Sequence, residues 1–306
     1  MSDLQNSIFQ DNTKARKWLE SHLWPDGPVC PHCGSIEVTA LKGKAHRAGL
    51  HQCKQKECRQ QFTVTVGTLY ERSKIPLSKW LLATYLLSAS KKGMSTRQLS
   101  RMLGVSVKSS WFMMHRIREA MRDNPEVGPL GGQNKVVEAD ETYVGGKAKN
   151  KAFGPPPKKE PVVALVERDG KVRSTHVESV SRNSLRPILF TQIDRASYLM
   201  TDEAAVYKSH GREFKGHGTV NHSIKEYVRG QFWHTNTVES YFSILKRGIT
   251  GNYQWVSAKH LKRYLGEFDF RYNTRDMTDM ERAAEAAKGI AGKRLTYRRT
   301  GSGATR

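Results

Sequence analysis

The four cysteines of this chain all lie within its first sixty residues, in two close pairs. Two residues separate Cys30 from Cys33, and four separate Cys53 from Cys58. Thiolate pairs at such spacings are typical of a tetrahedral Zn²⁺ site, with zinc–sulfur bonds of about 2.3 Å. Two disulfides or a redox-active pair are the alternatives, but a redox Cys-x-x-Cys needs no second pair. The spacing therefore predicts one structural Zn²⁺ ion held by all four cysteines.

Short strand-like segments surround the cysteine pairs, namely "SIEVTALKG", "GLHQC" and "QQFTVTVG". Their β-branched and aromatic residues are typical of hairpin strands. We therefore expect residues 1–70 to form an N-terminal helix and a zinc ribbon. His32 and His51 are possible substitute ligands, although four thiolates already complete the site. Because such a site has no open position, the metal is expected to hold structure and not to perform chemistry.

The net charge of the chain restricts its partners. There are 51 Lys and Arg residues against 29 Asp and Glu, which gives a formal charge of +22. Such a surplus favours a polyanion, because each neutralised phosphate releases counterions. An anionic membrane surface is the alternative, but no apolar run approaches the roughly 20 residues that span a bilayer. The N-terminus also lacks the apolar region of a signal peptide. We expect a cytoplasmic, nucleoid-associated protein with no membrane partner.

Residues 71–123 contain three helical patterns. Gly93 ends the first, a hydroxyl at Ser95 or Thr96 caps the second, and Gly104 makes the next turn. The pattern is typical of a helix-turn-helix domain whose last helix enters the major groove of DNA, although a plain three-helix bundle has the same periodicity. The basic third helix favours DNA binding. Its predicted DNA contacts are Lys108, Ser109, Arg116 and Arg118.

Three acidic residues follow, each in a different predicted element. The Pro- and Gly-rich "RDNPEVGPLGGQNK" has no apolar period and predicts a linker at 124–134. Asp140 then lies in the middle of the strand-like "KVVEADETYVGG". Asp202 lies within the strand-like "ASYLMTDEAAVY", and Glu239 lies near the start of an amphipathic helix. The three carboxylates therefore come from three separate elements, two strands and a helix.

The segments around these carboxylates predict the rest of the domain. "PVVALVERDGKVRSTHVESV" predicts a hairpin that turns at Asp169–Gly170, and "SRNSLRPILFTQI" predicts a short helix. "KAKNKAFGPPPKKE" predicts a loop, because prolines and many lysines do not build a strand interior. This order of strands and helices predicts a ribonuclease-H-like α/β catalytic domain over residues 135–290. A basic tail at 291–306 is expected to be disordered.

Three blocks of the sequence resemble the DDE transposases of bacterial insertion sequences. They are "EADETYVGG", "TDEAAVY" and "HTNTVESYFSILKRG…YQWVSAKHLKRYLGEFDFRYNTR". The chain is most similar to the group with an N-terminal zinc ribbon and an ISXO-like catalytic domain, which is related to eukaryotic Merlin elements. The similarity covers nearly the whole chain, with ribbon, helix-turn-helix and catalytic domain in the same order. Some members of that group carry Asn where this chain has Glu239.

The resemblance implies that Asp140, Asp202 and Glu239 form a catalytic, metal-binding triad. Hard cations such as Mg²⁺ or Mn²⁺ prefer oxygen ligands. Two such ions about 3.5–4 Å apart activate the attacking oxygen and stabilise the leaving oxygen. Asp140 would bind both ions, and the other two carboxylates would each complete one. The expected reaction is cleavage of DNA at the element ends, followed by joining of the 3′-hydroxyl to target DNA.

Polar and basic residues near the triad are the expected DNA contacts of the catalytic domain. They are His234, Asn236, Lys246, Arg247, Lys259, Lys262 and Arg263. Lys246 lies seven residues after Glu239 on the same helix face, and it matches a position that is usually basic in these transposases. The expected partners are double-stranded DNA, as terminal repeats and as target, and at least one further copy of the chain. A homodimer or larger assembly would pair the two element ends.

Several alternatives remain at this stage. Glu138 shares the face of Asp140 on an alternating strand, whereas Glu141 points away, and a shifted register would make either one the ligand. Glu203 directly follows the second aspartate. Glu239 could be a first-turn carboxylate that the helix dipole favours. The alternative functions are a catalytically inactive, domesticated DNA-binding regulator and a structure-specific Mg²⁺-dependent nuclease that cuts without joining.

Overall fold

The chain folds into two compact units in its computed structural model. The structure describes residues 3–122, 128–146, 155, 158–202, 204–220, 228–229 and 233–296. Unit 1 is Met1–Met121 together with Asp276–Arg306, and unit 2 is Arg122–Arg275. We expected ribbon and helices to be separate domains, and the catalytic domain to extend to residue 290. The structure instead groups ribbon and helices in one unit and places residues 276–290 with them.

The N-terminal part of unit 1 contains the expected ribbon. Its three short strands are β1 (Val38–Ala40), β2 (His51–Cys53) and β3 (Gln61–Phe62). They form one antiparallel sheet in the order β1-β2-β3. Phe62 is fully buried beside Cys30 and Cys53, and Trp24 packs edge-on against it with ring centroids 5.9 Å apart. The small aromatic core of the ribbon therefore packs directly against the cysteines.

Besides short 3₁₀ turns at Asp3–Gln5 and Ser7–Phe9, the described residues of unit 1 form five α-helices. They are α1 (Asn12–Leu23), α2 (Leu77–Ala89), α3 (Thr96–Leu103), α4 (Val107–Ala120) and α9 (Asp279–Lys288). Helix α2 is apolar nearly all round and contacts α1, α4 and α9, so it forms the centre of the unit. Ser95 caps α3 by accepting the Gln98 N–H, and Gly104 ends α3 with φ of 60°. The three predicted helices and their turn are thus present.

Unit 2 is built on a five-stranded sheet. Its strands are β4 (Val136–Val144), β5 (Glu160–Glu167), β6 (Val172–His176), β7 (Tyr198–Asp202) and β8 (Gly216–Val220). The strand order is β6-β5-β4-β7-β8, with antiparallel pairing among the first three and parallel pairing from β4 onward. A small antiparallel pair follows, β9 (Val228–Arg229) and β10 (Trp233–His234).

Helices cover both faces of this sheet. They are α5 (Arg182–Gln192), α6 (Ala205–Gly211), α7 (Asn236–Gly248), which a π-helical turn at Ile249–Tyr253 continues, and α8 (Ala258–Asn273). Side chains alternate along β4. Val137 and Ala139 pack in the apolar cluster under α5 and α6, and Val144 packs in the cluster under α7 and α8. The result is a mixed α/β domain with a core on each side of its sheet.

The local predictions for this unit agree well with the structure. Asp140 lies in the middle of a strand, Asp202 ends another, and the hairpin turns at Asp169, whose φ is 56°. The linker expected at 124–134 falls partly outside the described residues, and Leu130 is buried within unit 2, where its backbone forms hydrogen bonds with the backbones of Gln192 and Asp194. Most of the loop expected at 147–160 lies outside the described residues.

The start of the expected disordered tail is placed in unit 1. The Lys293 ammonium donates to the Glu119 carbonyl at 3.1 Å, and the Arg116 guanidinium donates to the Leu295 carbonyl at 3.2 Å. Residues 291–296 thus lie along α4, and residues 297–306 are outside the described part. Among the helices that the structure describes, none has the length and apolar composition required to cross a membrane.

Candidate functional site

The four cysteine sulfurs form one compact group. Their Sγ atoms all lie within 4.8 Å of one another. The Cys30 and Cys58 sulfurs are 3.8 Å apart, and the Cys33 and Cys53 sulfurs are 3.6 Å apart. A tetrahedron with zinc–sulfur bonds of about 2.3 Å has sulfur–sulfur edges of about 3.8 Å, whereas a disulfide bond is about 2.05 Å long. The group fits a zinc ion and not a pair of disulfides.

The surroundings of the group agree with a structural role. Cys30 and Cys53 are buried, Cys58 is half-buried and Cys33 is exposed. Burial raises the pKa of the Cys53 thiol to about 12. A zinc ion has to displace that proton, so zinc binding weakens as the pH falls. His51 stacks on Phe62 with ring centroids 5.7 Å apart, which gives it a packing role in place of the possible ligand role.

We expect one zinc ion per chain in the purified protein, measured by elemental analysis. Cys53→Ser should lose the ion and loosen the ribbon, because a closed four-thiolate site contributes directly to folding. The loss should appear as a red shift of tryptophan emission, since Trp24 packs on the aromatic core of the ribbon. His32→Ala is the control and should keep one zinc ion. A zinc-free wild-type protein, or loss of zinc in His32→Ala, contradicts the assignment.

Two of the predicted acidic residues lie side by side on the sheet of unit 2. The parallel pairing of β4 with β7 aligns Val136 with Tyr198 and Glu138 with Met200. Continuing this register by two residues places Asp140 beside Asp202, on the sheet face that α7 and α8 cover. Neighbouring strands are about 4.8 Å apart. The two aspartates therefore meet at the end of β7.

Glu239, in the first turn of α7, affects the ionisation of Asp140. Burial raises the pKa of Asp140 to about 7, and repulsion from Glu141, Asp202 and Glu239 adds to this effect. Charges act in this way only over short distances, since solvent screens distant ones. The Asp140 Oδ1 accepts the Glu141 N–H at 2.8 Å, and the Asp202 Oδ1 accepts the Ala204 N–H at 3.0 Å. The structure thus pairs the two aspartates, and it places the charge of Glu239 near enough to repel Asp140.

The alternative ligands have other partners. Glu138 is fully buried, and its carboxylate accepts hydrogen bonds from Arg168 and from the first turn of α7. Glu141 lies on the opposite face, where it accepts the Tyr207 hydroxyl at 2.6 Å. Burial, followed by the charge of Glu141, raises the pKa of Tyr207, which keeps that hydroxyl protonated as the donor. Glu203 lies outside the described residues. These contacts leave Asp140 as the β4 carboxylate that faces the site.

The predicted DNA contacts differ in exposure. Those exposed are Lys108, Asn236, Lys246, Arg247, Lys259 and Lys262. Those half-buried are Ser109, Arg116, His234 and Arg263. The His234 ring nitrogen lies 3.3 Å from the Glu138 carboxylate, and the Ser109 hydroxyl accepts a bond from Ser106, the N-cap of α4. The Ser109 hydroxyl therefore already has a partner within the protein, and the His234 ring lies against a buried carboxylate.

Two predicted contacts on α4 serve the fold instead. Arg118 is 1% exposed, so the prediction that it touches DNA is wrong. The reason is helical geometry, since Arg118 follows the buried Ser110 and Met114 at four-residue intervals and lies on the same buried face. Arg116 donates to the carbonyls of Glu71 and Leu295, which occupies it within unit 1. Only the first turn of α4 retains an exposed predicted contact, at Lys108.

Sequence reasoning missed the polar contacts that surround the site. Arg168, directly after β5, pairs with Glu138 at 2.7 Å. Tyr207 of α6 holds Glu141 on the other face. The one available signal was the position of Glu138, a carboxylate two residues before Asp140 on the inward face of its strand. Its partners come from distant parts of the chain, so the sequence pattern did not reveal them.

Comparison with known proteins finds one family match in each of the two units. The model of an ISXO2-like transposase domain matches residues 129–273, and that of a transposase zinc-ribbon domain matches residues 10–61. An uncharacterized protein in transposable element ISH50 of Halobacterium salinarum is 27% identical over 285 residues, covering 86% of this chain and 91% of that protein. The Mos1 transposase paired-end complex with left transposon end is 10% identical and covers 70% of this chain and 80% of its own, but its TM-score of 0.20 is too low to establish a shared fold.

The zinc-ribbon match in unit 1 and the ISXO2-like match in unit 2 together support the assignment of the protein to the class of transposases. More particularly, the chain is similar to the insertion-sequence transposases that combine a zinc ribbon with an ISXO2-like domain. The resemblance drawn from the three sequence blocks is thereby confirmed.

The raised pKa of Asp140 predicts how this residue affects stability in EDTA. Its pKa is about 7 in the folded protein against an ordinary value of 3.8, so the folded state holds a proton that the unfolded state releases between these values. Stability therefore falls as the pH rises from about 4 to about 7. Asp140→Asn removes this loss and should raise the unfolding temperature by a few degrees at pH 8, and by less at pH 5.

Asp169→Asn is the matched control for this measurement. Asp169 is an exposed turn residue of the same unit, so its substitution should change the unfolding temperature equally at both pH values. A lower unfolding temperature for Asp140→Asn in EDTA at pH 8 would show that Asp140 is not a repelled, partly buried carboxylate.

Proposed function

We propose that this chain is an active insertion-sequence transposase that binds the terminal repeats, cleaves DNA at the element ends and joins the 3′-hydroxyl to target DNA. The observation that carries this proposal is the grouping of Asp140, Asp202 and Glu239 in the domain that matches ISXO2-like transposases. The strand order, with three antiparallel strands followed by two parallel ones, supports the ribonuclease-H-like interpretation of that domain. Its acidic triad favours an enzyme over an inactive DNA-binding regulator.

The donor set of the triad suits divalent cations. Three carboxylates supply only oxygen ligands, which Mg²⁺ and Mn²⁺ prefer, and Mg²⁺ usually retains several of its waters. Like charges held together beside a buried carboxylate also attract a cation, because a cation relieves their repulsion. Two bound ions would supply the charge that stabilises the attacking and leaving oxygens of an in-line displacement.

Each acidic residue has a separate role that follows from its element. Asp140 lies on β4, which pairs with the strand of Asp202 and contacts the helix of Glu239, so it is the residue suited to bind both ions. Asp202 on β7 and Glu239 on α7 each complete one ion. Asp140 is held by the Glu141 N–H, so its free oxygen is available to the site. The triad is therefore anchored on two strands and a helix, which keeps its geometry fixed before DNA arrives.

The DNA contacts divide between the two units. In unit 2 the exposed Lys246 and Arg247 close the last turn of α7, the helix that begins beside the triad, and Lys259 and Lys262 lie on α8. In unit 1 the turn between α3 and α4 presents Lys108 at the start of α4, as a helix-turn-helix does. The net charge of +22 supports binding to duplex DNA at the nucleoid. Pairing of two element ends calls for at least a dimer on DNA.

Lys108→Gln tests the helix-turn-helix part of this proposal. If Lys108 contacts a phosphate, its loss should weaken binding to a terminal-repeat duplex and reduce the slope of log K against log salt by about 1. Titrations by fluorescence anisotropy at several salt concentrations measure both quantities. Lys91→Gln removes an equal charge from an exposed position between α2 and α3 and should leave the slope nearly unchanged. Equal slopes of log K against log salt for the two variants would show that Lys108 of α4 does not contact DNA.

Asp140→Asn tests the proposed activity. The purified wild-type chain, with a labelled terminal-repeat duplex and a target plasmid, should join the labelled 3′ end to the plasmid in Mg²⁺ and not in EDTA. Asp140→Asn should abolish cleavage and joining and retain end binding, because it removes a metal ligand and no DNA contact. Asp169→Asn should retain both steps. Cutting without joining in the wild type would indicate a nuclease, and binding with neither step would indicate a regulator.

A further inference from the structure

Glu138 is the most fully desolvated acidic group near the candidate site. It is 0% exposed and lies two residues before Asp140, on the same face of β4. Its Oε1 accepts the Arg168 Nε–H at 2.7 Å and the Thr237 hydroxyl at 2.9 Å. Its Oε2 accepts the backbone N–H groups of Thr237 at 2.9 Å and of Val238 at 3.0 Å. A buried carboxylate is tolerated only with such a complete set of partners.

These contacts make Glu138 the cap of α7. The first N–H groups of a helix have no partner within the helix and are usually satisfied by a side chain just before it. Thr235, at the N-cap position, makes no side-chain cap hydrogen bond. The carboxylate of Glu138 takes that place from a strand about one hundred residues earlier in the chain, and its negative charge suits the positive end of the helix dipole.

Arg168 also connects β4 to the segment that leads into α7. One of its guanidinium nitrogens donates to Glu138, and another donates to the His234 carbonyl at 2.7 Å. His234 ends β10, just before α7 begins. The backbone N–H of Arg168 also donates to the Val136 carbonyl at 3.0 Å, at the start of β4. Arg168 therefore joins β4, Glu138 and the entry to α7.

We propose that Glu138 and Arg168 are positioning residues that fix Glu239 relative to Asp140. The inference rests on the proposed function, because it takes Asp140 and Glu239 as ligands of the same metal site. The connection to each proposed ligand is short. Glu138 lies two residues from Asp140 on β4, and the Thr237 and Val238 amides that it caps directly precede Glu239. A metal site requires its ligands at set distances, and groups that orient ligands commonly affect metal affinity about 10–100-fold.

A second buried pair in the same unit provides a matched control. Glu267 is also 0% exposed, pairs with Arg271 on α8 and accepts the Tyr253 hydroxyl. It joins α8 to the π-helical turn that follows α7, away from the first turn. Glu267→Gln therefore introduces the same chemical change into an equally buried ion pair. A general loss of stability would affect both variants alike.

The test compares Glu138→Gln with Glu267→Gln in the full-length chain. Glutamine places an amide donor where Glu138 has an acceptor, so one of its bonds to Arg168 or to α7 is lost. In EDTA, the Thr237 and Val238 amides should exchange hydrogen at least about tenfold faster in Glu138→Gln, because their cap is weakened. Mn²⁺ binding, measured by electron paramagnetic resonance without DNA, should weaken by about tenfold or more. Glu267→Gln should leave both quantities within about twofold of wild type.

Three outcomes would overturn the inference. If the two variants change amide exchange and Mn²⁺ affinity equally, the Glu138–Arg168 pair contributes only to general stability. Faster amide exchange with unchanged Mn²⁺ affinity would leave Glu138 as a cap that does not position Glu239. A wild-type chain that binds no Mn²⁺ would contradict the proposed function and the positioning role together, which distinguishes that failure from the first two. If Glu138→Gln does not fold, Arg168→Lys replaces it, because one ammonium cannot reproduce the two directed bonds of the guanidinium.

Discussion

The alternation of side chains along β4 determines where each acidic group of the candidate site lies. Glu138 and Asp140 face α7 and α8, and Glu141 faces α6, where it accepts the Tyr207 hydroxyl. A shift of register by one residue would turn Asp140 into the apolar cluster around Val137. The apolar residues on the two faces of β4 therefore determine which way each acidic side chain points, as well as how the strand packs in the domain.

This arrangement holds like charges together against their repulsion. Burial and the charges around it raise the pKa of Asp140 to about 7, so the folded protein is less stable for having the group there. Cores on both sides of the sheet supply the stability that offsets this cost. Glu138, which is paired with Arg168, accepts hydrogen bonds from the first turn of α7, the helix that carries Glu239. A cation that binds the triad would remove the repulsion, so metal binding and stability of unit 2 are coupled.

The sequence predicted what depends on local patterns and missed what depends on distant contacts. Apolar periodicity and turn residues located the strand of Asp140, the strand that ends in Asp202 and the helix of Glu239, and the resemblance grouped the three. The zinc site followed from cysteine spacing, and the ribbon followed from the strand-like segments around the cysteines. The burial of Arg118, the return of α9 to unit 1 and the cap that Glu138 provides all depend on packing between separated segments. Charge patterns on a helix do not show which face another helix will cover.

Anomalous X-ray diffraction from crystals soaked in Mn²⁺ tests the central claim most directly. The account predicts two Mn²⁺ ions about 3.5–4 Å apart, with Asp140 on both ions and Asp202 and Glu239 on one each. Glu138 should remain bonded to Arg168 and to the first turn of α7, without touching either ion. Mn²⁺ ions held by Glu138 or Glu141, or an anomalous signal away from the three carboxylates, would contradict it.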